Sequence, residues 1–150
     1  MTTTVDETTL VLTRHFDAPA ARVFDAWMNH DEFQSWIGVE GARCKVPLFE
    51  ARVGGRYAID LQLSTGEITP VAGEFREIEA PRRIVFTWGW NGDPKRQSLI
   101  TVTFAARDGG TEMTLRQEGL GSIESRDGHG QGWHSTFNKL AAHLSGAPIR

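Results

Sequence analysis

The sequence has few of the features that mark several large classes of protein. Its 150 residues include one cysteine, Cys44, which excludes a disulfide within the chain and is typical of a reducing compartment. The opening MTTTVDETTL has neither the positive charge nor the apolar stretch of a secretory signal. No apolar run approaches the roughly 20 residues that span a bilayer. We therefore predict a cytoplasmic protein without membrane insertion.

Patterns that would carry catalysis or metal binding are also scarce. The net charge is −3, with acids and bases interspersed, and no basic patch typical of nucleic-acid binding is present. The sequence has no G-x-S-x-G nucleophile motif, no H-E-x-x-H zinc motif and no glycine-rich phosphate loop. His129, His134 and His143 lack the i, i+4 spacing of paired zinc ligands. The sequence thus predicts no nucleic-acid partner, no metal, no cofactor and no identifiable catalytic residue.

Periodic patterns, in contrast, are clear along most of the chain. Alternation of apolar and polar residues predicts seven strands, and Asp108-Gly109-Gly110 is a strong hairpin signal. Helical spacing predicts two short helices after the first strand and one long C-terminal helix. We predict a single α+β domain over residues 8–145, with 1–7 and 146–150 as flexible termini. The predicted strands are 9–16, 42–49, 56–63, 71–79, 84–90, 98–104 and 112–118.

The C-terminal segment RDGHGQGWHSTFNKLAAHL joins three glycines to an amphipathic helix. Trp133, Phe137, Leu140 and Leu144 form one apolar stripe. For Gly128, Gly130 and Gly132 two interpretations stay open: either the helix begins only at Gly132, or missing side chains leave space between helix and sheet. In a meander, the loops at 64–70 and 91–97 and the link 36–38 should meet at the end of the sheet where this helix begins.

Several segments, in this order and spacing, resemble one family. The chain is similar to the branch named after the activator of the ninety-kilodalton heat-shock protein ATPase (AHSA-like), within the SRPBCC (START-like, Bet v 1-like) superfamily, over about residues 8–145. The segments that carry the resemblance are LTRHFDAPAARVFDAW, FQSWIG, VGGRY, GEFREIEAPRRIVFTWGW and RDGHGQGWHSTFNKLAAHL.

The resemblance implies a helix-grip fold, in which a curved antiparallel sheet of about seven strands wraps a long C-terminal helix over a cavity. Superfamily members bind lipids, sterols, polyketides and other apolar ligands, and some catalyse cyclisation or dehydration. The branch name implies a chaperone contact and a role in stress response. This chain has Gly130 where larger polar residues are common and Ile37 where a second Trp is often found, and both changes would enlarge or reshape the mouth.

We expect the ligand site at the end of the sheet where the loops meet. There Gly130 is expected to widen the cavity, and His129 or Gln117 to supply a polar tip, although His129 also suits a solvated helix start. Inward aromatic residues are more often plain core than pocket wall. The candidate ligand-binding residues are Trp36, Tyr57, Trp88, Trp90, Gln117, His129, Gly130, Trp133 and Phe137.

Three functional hypotheses remain from the sequence. The first is binding of a small, largely hydrophobic molecule between the sheet and the C-terminal helix. The second is an enzyme of the cyclase or dehydratase kind acting on an apolar or polyketide-like substrate, with His129, Arg14 or Gln117 in acid–base roles. The third is a chaperone-associated interaction module. A homodimer is also left open.

Overall fold

A single antiparallel sheet and three α-helices make up the part of the chain that the structure describes. The structure is a computed structural model, and it describes residues 8–146 and the backbone of residues 2–6. The strands lie in the spatial order β1-β2-β8-β7-β6-β5-β4-β3. The elements are β1 (Thr2–Asp6), β2 (Thr9–Phe16), α1 (Ala20–Met28), α2 (His30–Trp36), β3 (Arg43–Phe49), β4 (Arg56–Gln62), β5 (Ile68–Glu79), β6 (Arg83–Trp90), β7 (Gln97–Arg107), β8 (Gly110–Glu118) and α3 (Ile123–Ser145), with a 3₁₀ turn at Pro94–Arg96.

The predicted α+β helix-grip architecture is confirmed. Strands β3 to β8 form a meander in chain order, and β8 pairs with β2, so the chain's first predicted strand closes beside its last. Helix α3 packs on β2 and on α2. The predicted β7–β8 hairpin is present, and Asp108 and Gly109 both have positive φ there, as its two-residue turn requires.

The N-terminal segment and the start of β5 differ from the sequence-based expectation. Segment 1–7 was expected to be a flexible terminus, but β1 pairs antiparallel with β2. Its threonines and valine favour extended backbone, and β2 would otherwise present an unpaired edge. Strand β5 begins at Ile68 rather than at residue 71, because this earlier stretch continues the register with β4 up to Gln62. Residues 147–150, also expected to be flexible, lie outside the described residues.

Aromatic rings fill the core beneath α1 and α2. Trp27 lies at its centre, with ring centroids 4.8 Å from Trp36, 6.1 Å from Phe86 and 6.2 Å from both Trp133 and Phe137. The void that remains in this region is about 10 Å³, no more than one water molecule needs. This half of the interior is therefore packed solid.

Tyr57 closes a gap in the sheet. Strands β5 and β6 lose their regular pairing at Gly73 and Glu74. Thr87 on β6 compensates, because its hydroxyl oxygen accepts from the Glu74 N–H at 2.9 Å and its carbonyl accepts from the Tyr57 hydroxyl. A side chain on Gly73 would collide with that carbonyl. Burial raises the pKa of Tyr57 well above its usual value, so the hydroxyl remains a donor into the alkaline range.

We expect Tyr57→Phe to lower the free energy of unfolding by about 1–2 kcal/mol, because the Thr87 carbonyl would lose its donor in a partly buried position. Urea denaturation followed by tryptophan fluorescence measures the change. An unchanged denaturation midpoint would show that the hydroxyl does not support the sheet.

One carboxylate joins the three helices. Glu32 on α2 accepts from Arg22 on α1 at 2.6 Å and from the His143 Nε2–H on α3 at 2.7 Å, both at Oε1. Burial alone would raise the pKa of Glu32, but the hydrogen bonds from His143 and Arg22 outweigh it and hold the pKa below its usual value. The ionised carboxylate therefore stabilises the packing of α2 between α1 and α3.

This depressed pKa sets a pH window for stability. The contribution of Glu32 is fully present above the unfolded carboxyl pKa of about 4.3 and is lost as the pH falls through the lower folded pKa. We expect Glu32→Gln to cost about 1 kcal/mol at pH 5.5 and progressively less toward pH 3. Urea unfolding at both pH values measures the difference, with Glu67→Gln in an exposed turn as the control. A cost that does not change with pH would contradict a stabilising charge on Glu32.

Candidate functional site

A cavity of about 580 Å³ lies between the N-terminal half of α3 and one end of the sheet. This is the end at which the β4–β5 hairpin, the loop after β6 and the link after α2 meet, as the predicted meander requires. Exposed residues mark its mouth, among them Leu63, Arg96 and Glu124. The sheet and the link supply the walls with Ile37, Gly38, Val39, Leu61, Thr69, Trp88 and Trp90.

Small residues on one face of α3 create the space. Ser125, Gly128, Gly132 and Thr136 follow one another at helical spacing and all line the cavity. A Cβ atom on Gly128 would meet nothing within 4 Å, and one on Gly132 would meet only Val39, at 3.8 Å. Because α3 already begins at Ile123, the glycines belong to the helix and not to a loop. Of the two open interpretations, the structure has the one in which missing side chains leave space.

The expectation for Gly130 is wrong. Gly130 faces the sheet as predicted, but it does not line the cavity. A Cβ atom there would lie 3.3 Å from Leu10 Cδ1, so Gly130 lets α3 approach β2 closely. Its neighbours two residues away on either side, Gly128 and Gly132, border the space instead.

Trp133 marks the boundary between the packed core and the cavity. Its indole N–H donates to Gln117 Oε1 at 2.8 Å, and Gln117 Nε2 donates to Ser98 Oγ at 2.8 Å. Gln117 is completely buried behind the ring and does not border the cavity. Gln117 therefore orients the Trp133 ring, which forms part of the cavity wall, through a hydrogen bond. It does not provide the expected polar group inside the cavity.

His129 lies at the cavity beside Trp90. The Trp90 indole N–H donates to His129 Nε2 at 2.9 Å, which leaves the ring proton on Nδ1, from where it donates to the Ser125 carbonyl at 2.7 Å. Burial lowers the pKa of His129 against the opposing effect of the Ser125 carbonyl, and the nearby Arg96 lowers it further. The imidazole is thus neutral at pH 7, with both ring nitrogens engaged.

One buried polar group at the cavity has no partner. Trp88 borders the cavity and is 4% exposed, yet its indole N–H meets no acceptor within the described residues 8–146. An unpaired buried donor costs about 1–3 kcal/mol. The indole nitrogen itself is buried, so the structure carries this cost within the wall of the cavity.

The structure brings together only part of the predicted site. Trp88, Trp90, His129 and Trp133 line the cavity. The other candidates, which are Trp36, Tyr57, Gln117, Gly130 and Phe137, do not. Trp36 is fully buried and donates to the Ala26 carbonyl at 2.9 Å, so it belongs to the core. Arg14 donates to Asn138 Oδ1 at 2.6 Å and also does not border the cavity.

Sequence reasoning missed the residues on the helix and the link that shape the cavity. The signal for the helix was the i, i+3/i+4 spacing of Ser125, Gly128, Gly132 and Thr136, a stripe of small side chains beside the apolar stripe. No comparable signal existed for Lys139, which is buried and donates to the Ile37 carbonyl at 3.2 Å. This bond ties the link after α2 to α3 near the cavity.

The described residues contain neither a cluster of metal ligands nor a membrane-spanning helix. Within the described part of the chain, no three His, Cys, Asp or Glu side chains lie close enough together to hold a metal ion. None of its helices combines the length and the apolar character needed to cross a membrane.

Comparison with known proteins places this geometry in a family. The family model described as "Activator of Hsp90 ATPase homolog 1-like protein" matches residues 17–145. No curated protein sequence matches the chain. Among solved structures, a protein from Chromobacterium violaceum is 28% identical with a TM-score of 0.83, over 90% of this chain and 96% of that one.

Two further solved structures have the same architecture. The AHSA1 protein from Silicibacter pomeroyi is 26% identical with a TM-score of 0.81, over 91% of this chain and 97% of that one. A protein from Arthrobacter aurescens is 21% identical with a TM-score of 0.87, over 99% and 93% of the two chains, and shows the fold alone. Since the family match spans most of the chain, this protein belongs to the activator of Hsp90 ATPase homolog 1-like family.

Proposed function

We propose that the protein binds a small, largely apolar molecule in the cavity between α3 and the sheet. The observation that carries the proposal is the contrast between the two halves of the interior. The half around Trp27 leaves about 10 Å³ empty, whereas the half beside Gly128 and Gly132 leaves about 580 Å³. A volume of this size falls within the roughly 300–1,000 Å³ of small-molecule sites.

The walls of the cavity favour an apolar guest. Ile37, Leu61, Trp88 and Trp133 are buried residues that border it, and they supply aliphatic and aromatic surface. Burial of a ligand's apolar surface contributes roughly 25 cal/mol per Å² toward affinity.

The residues expected to carry acid–base chemistry do not support the enzyme hypothesis. Both ring nitrogens of His129 already take part in hydrogen bonds. Gln117 is hydrogen-bonded to Trp133 and Ser98, and Arg14 donates a hydrogen bond to Asn138. They form no acid–base pair at the cavity. Binding without a reaction is therefore the function that these contacts support best, and the chaperone contact stays a prediction from the family name.

Filling the cavity from the helix side tests the proposal. The probe is the neutral fluorophore N-phenyl-1-naphthylamine, titrated into the protein and followed by its emission. We expect Gly128→Leu to weaken binding about tenfold, because the new side chain displaces contacts equivalent to about two buried methylene groups. Gly132→Leu tests the same point one helical turn deeper, where Cβ contacts only Val39.

Gly130→Ala is the matched control. It also replaces a helical glycine, with a similar gain in helix propensity of up to about 1 kcal/mol, but its methyl group faces Leu10 outside the cavity. This variant should bind the fluorophore like the wild type. Equal affinity of all the variants, or no binding by the wild type, would contradict the proposed site.

A further inference from the structure

A second, smaller cavity adjoins the first on the other side of the Trp90–His129 pair. Its volume is about 300 Å³. Trp90, Arg96 and His129 border both cavities, as do Ser122 and Ser125 at the start of α3. A molecule too long for the first cavity would therefore pass Arg96 as it enters the second.

The second cavity has a positive lining. Lys95 and Arg96 both border it, and no Asp or Glu does so within residues 8–146. Glu124 borders only the first cavity. The helix α3 begins beside the second cavity at Ile123, and the positive end of its dipole adds to the field of the two cations.

Arg96 carries its charge without a counter-ion. Several other arginines pair with a carboxylate, as Arg22 does with Glu32 and Arg82 does with Glu79. No carboxylate within residues 8–146 pairs with Arg96, whose guanidinium instead lies over the Trp90 ring, 5.7 Å from its centroid. A guanidinium that contacts a ring in this way can still donate its N–H groups to a planar anion in a two-pronged geometry.

We infer that the ligand is an anionic amphiphile, with its apolar body in the first cavity and a carboxylate head held by Arg96 and Lys95 at the second. This inference rests on the proposed function and adds the chemical class of the guest. A neutral or cationic head would leave the two cations unpaired. A carboxylate head would accept hydrogen bonds from both.

The position of Arg96 suits it to distinguish between ligand head groups more than to increase the affinity for every ligand. It is exposed at the mouth, so water competes for its N–H groups. The apolar body, buried against Trp88 and Trp133, supplies most of the binding free energy in either case. The head group should then decide between an acid and an alcohol of equal length.

The test compares decanoic acid with 1-decanol at pH 8, measured by isothermal titration calorimetry on the full chain. The two ligands share chain length and differ only in the charge of the head. We expect Arg96→Gln to weaken decanoate binding about tenfold, since hydrogen bonds to charged groups are the strong ones, and to change 1-decanol binding less than twofold. Arg96→Lys, which keeps the positive charge, should retain most of the decanoate affinity.

Two further variants test whether the effect comes from charge at the second cavity. Lys95→Gln removes the other cation of that cavity, and Arg82→Gln removes a positive charge elsewhere. Lys95→Gln should weaken decanoate about threefold and leave 1-decanol unchanged, because Lys95 borders only the second cavity. Arg82→Gln removes the same charge at the other end of β6 and should change neither ligand.

The outcomes distinguish this inference from the proposed function. If Gly128→Leu weakens both ligands but Arg96→Gln weakens them equally or not at all, the anion site is wrong and the apolar cavity stands. If neither ligand binds the wild type while N-phenyl-1-naphthylamine does, the amphiphile class is wrong. If none of the three binds, both proposals fail.

Discussion

The hydrogen bond between Trp133 and Gln117 is the interaction on which the two-part interior depends. The Trp133 ring packs on Trp27 and Phe137 on one side, at 6.2 and 5.6 Å, and borders the open cavity on the other. Without the fixed indole N–H, the ring could turn into the empty space. Because Gln117 is buried and also holds Ser98, the bond anchors α3 to β7 and β8 at the boundary between core and cavity.

The strands, the helices and the location of the site could be predicted because each follows from a local pattern. Alternation shows which face of a strand is buried, and a meander places every second loop at the same end of the sheet. The apolar stripe predicted the face that α3 turns toward the sheet, but not how closely each part of the helix approaches the sheet. That spacing is set by tertiary packing, in which Gly130 lies against Leu10 on β2. The apolar stripe of α3 therefore identified the segment 128–132 as part of the site, but it did not show that Gly128 and Gly132, and not Gly130, border the cavity.

The aromatic residues show a second limit of pattern reasoning. Trp36, Tyr57 and Trp88 are all inward aromatic residues near the same end of the fold, and alternation treats them alike. Trp36 and Tyr57 donate to the backbone carbonyls of Ala26 and Thr87 and lie in the core, whereas Trp88 borders the cavity. Trp90 and Trp133 also donate hydrogen bonds and yet line the cavity, so a paired N–H does not by itself make a ring part of the core. What decides is which elements pack against the faces of the ring, and no local signal contains that information.

Two of the three glycines in α3 cost stability that close packing does not explain. Each glycine in a helix interior costs about 1 kcal/mol relative to alanine, against a typical stability of about 5–15 kcal/mol for a whole domain. Close packing on Leu10 accounts for Gly130, but Gly128 and Gly132 have room for a methyl group and no positive φ. Alanine at both positions would stabilise the helix without a clash. The fold alone therefore does not require these two glycines, and their lack of side chains leaves the most room in the cavity beside Trp133.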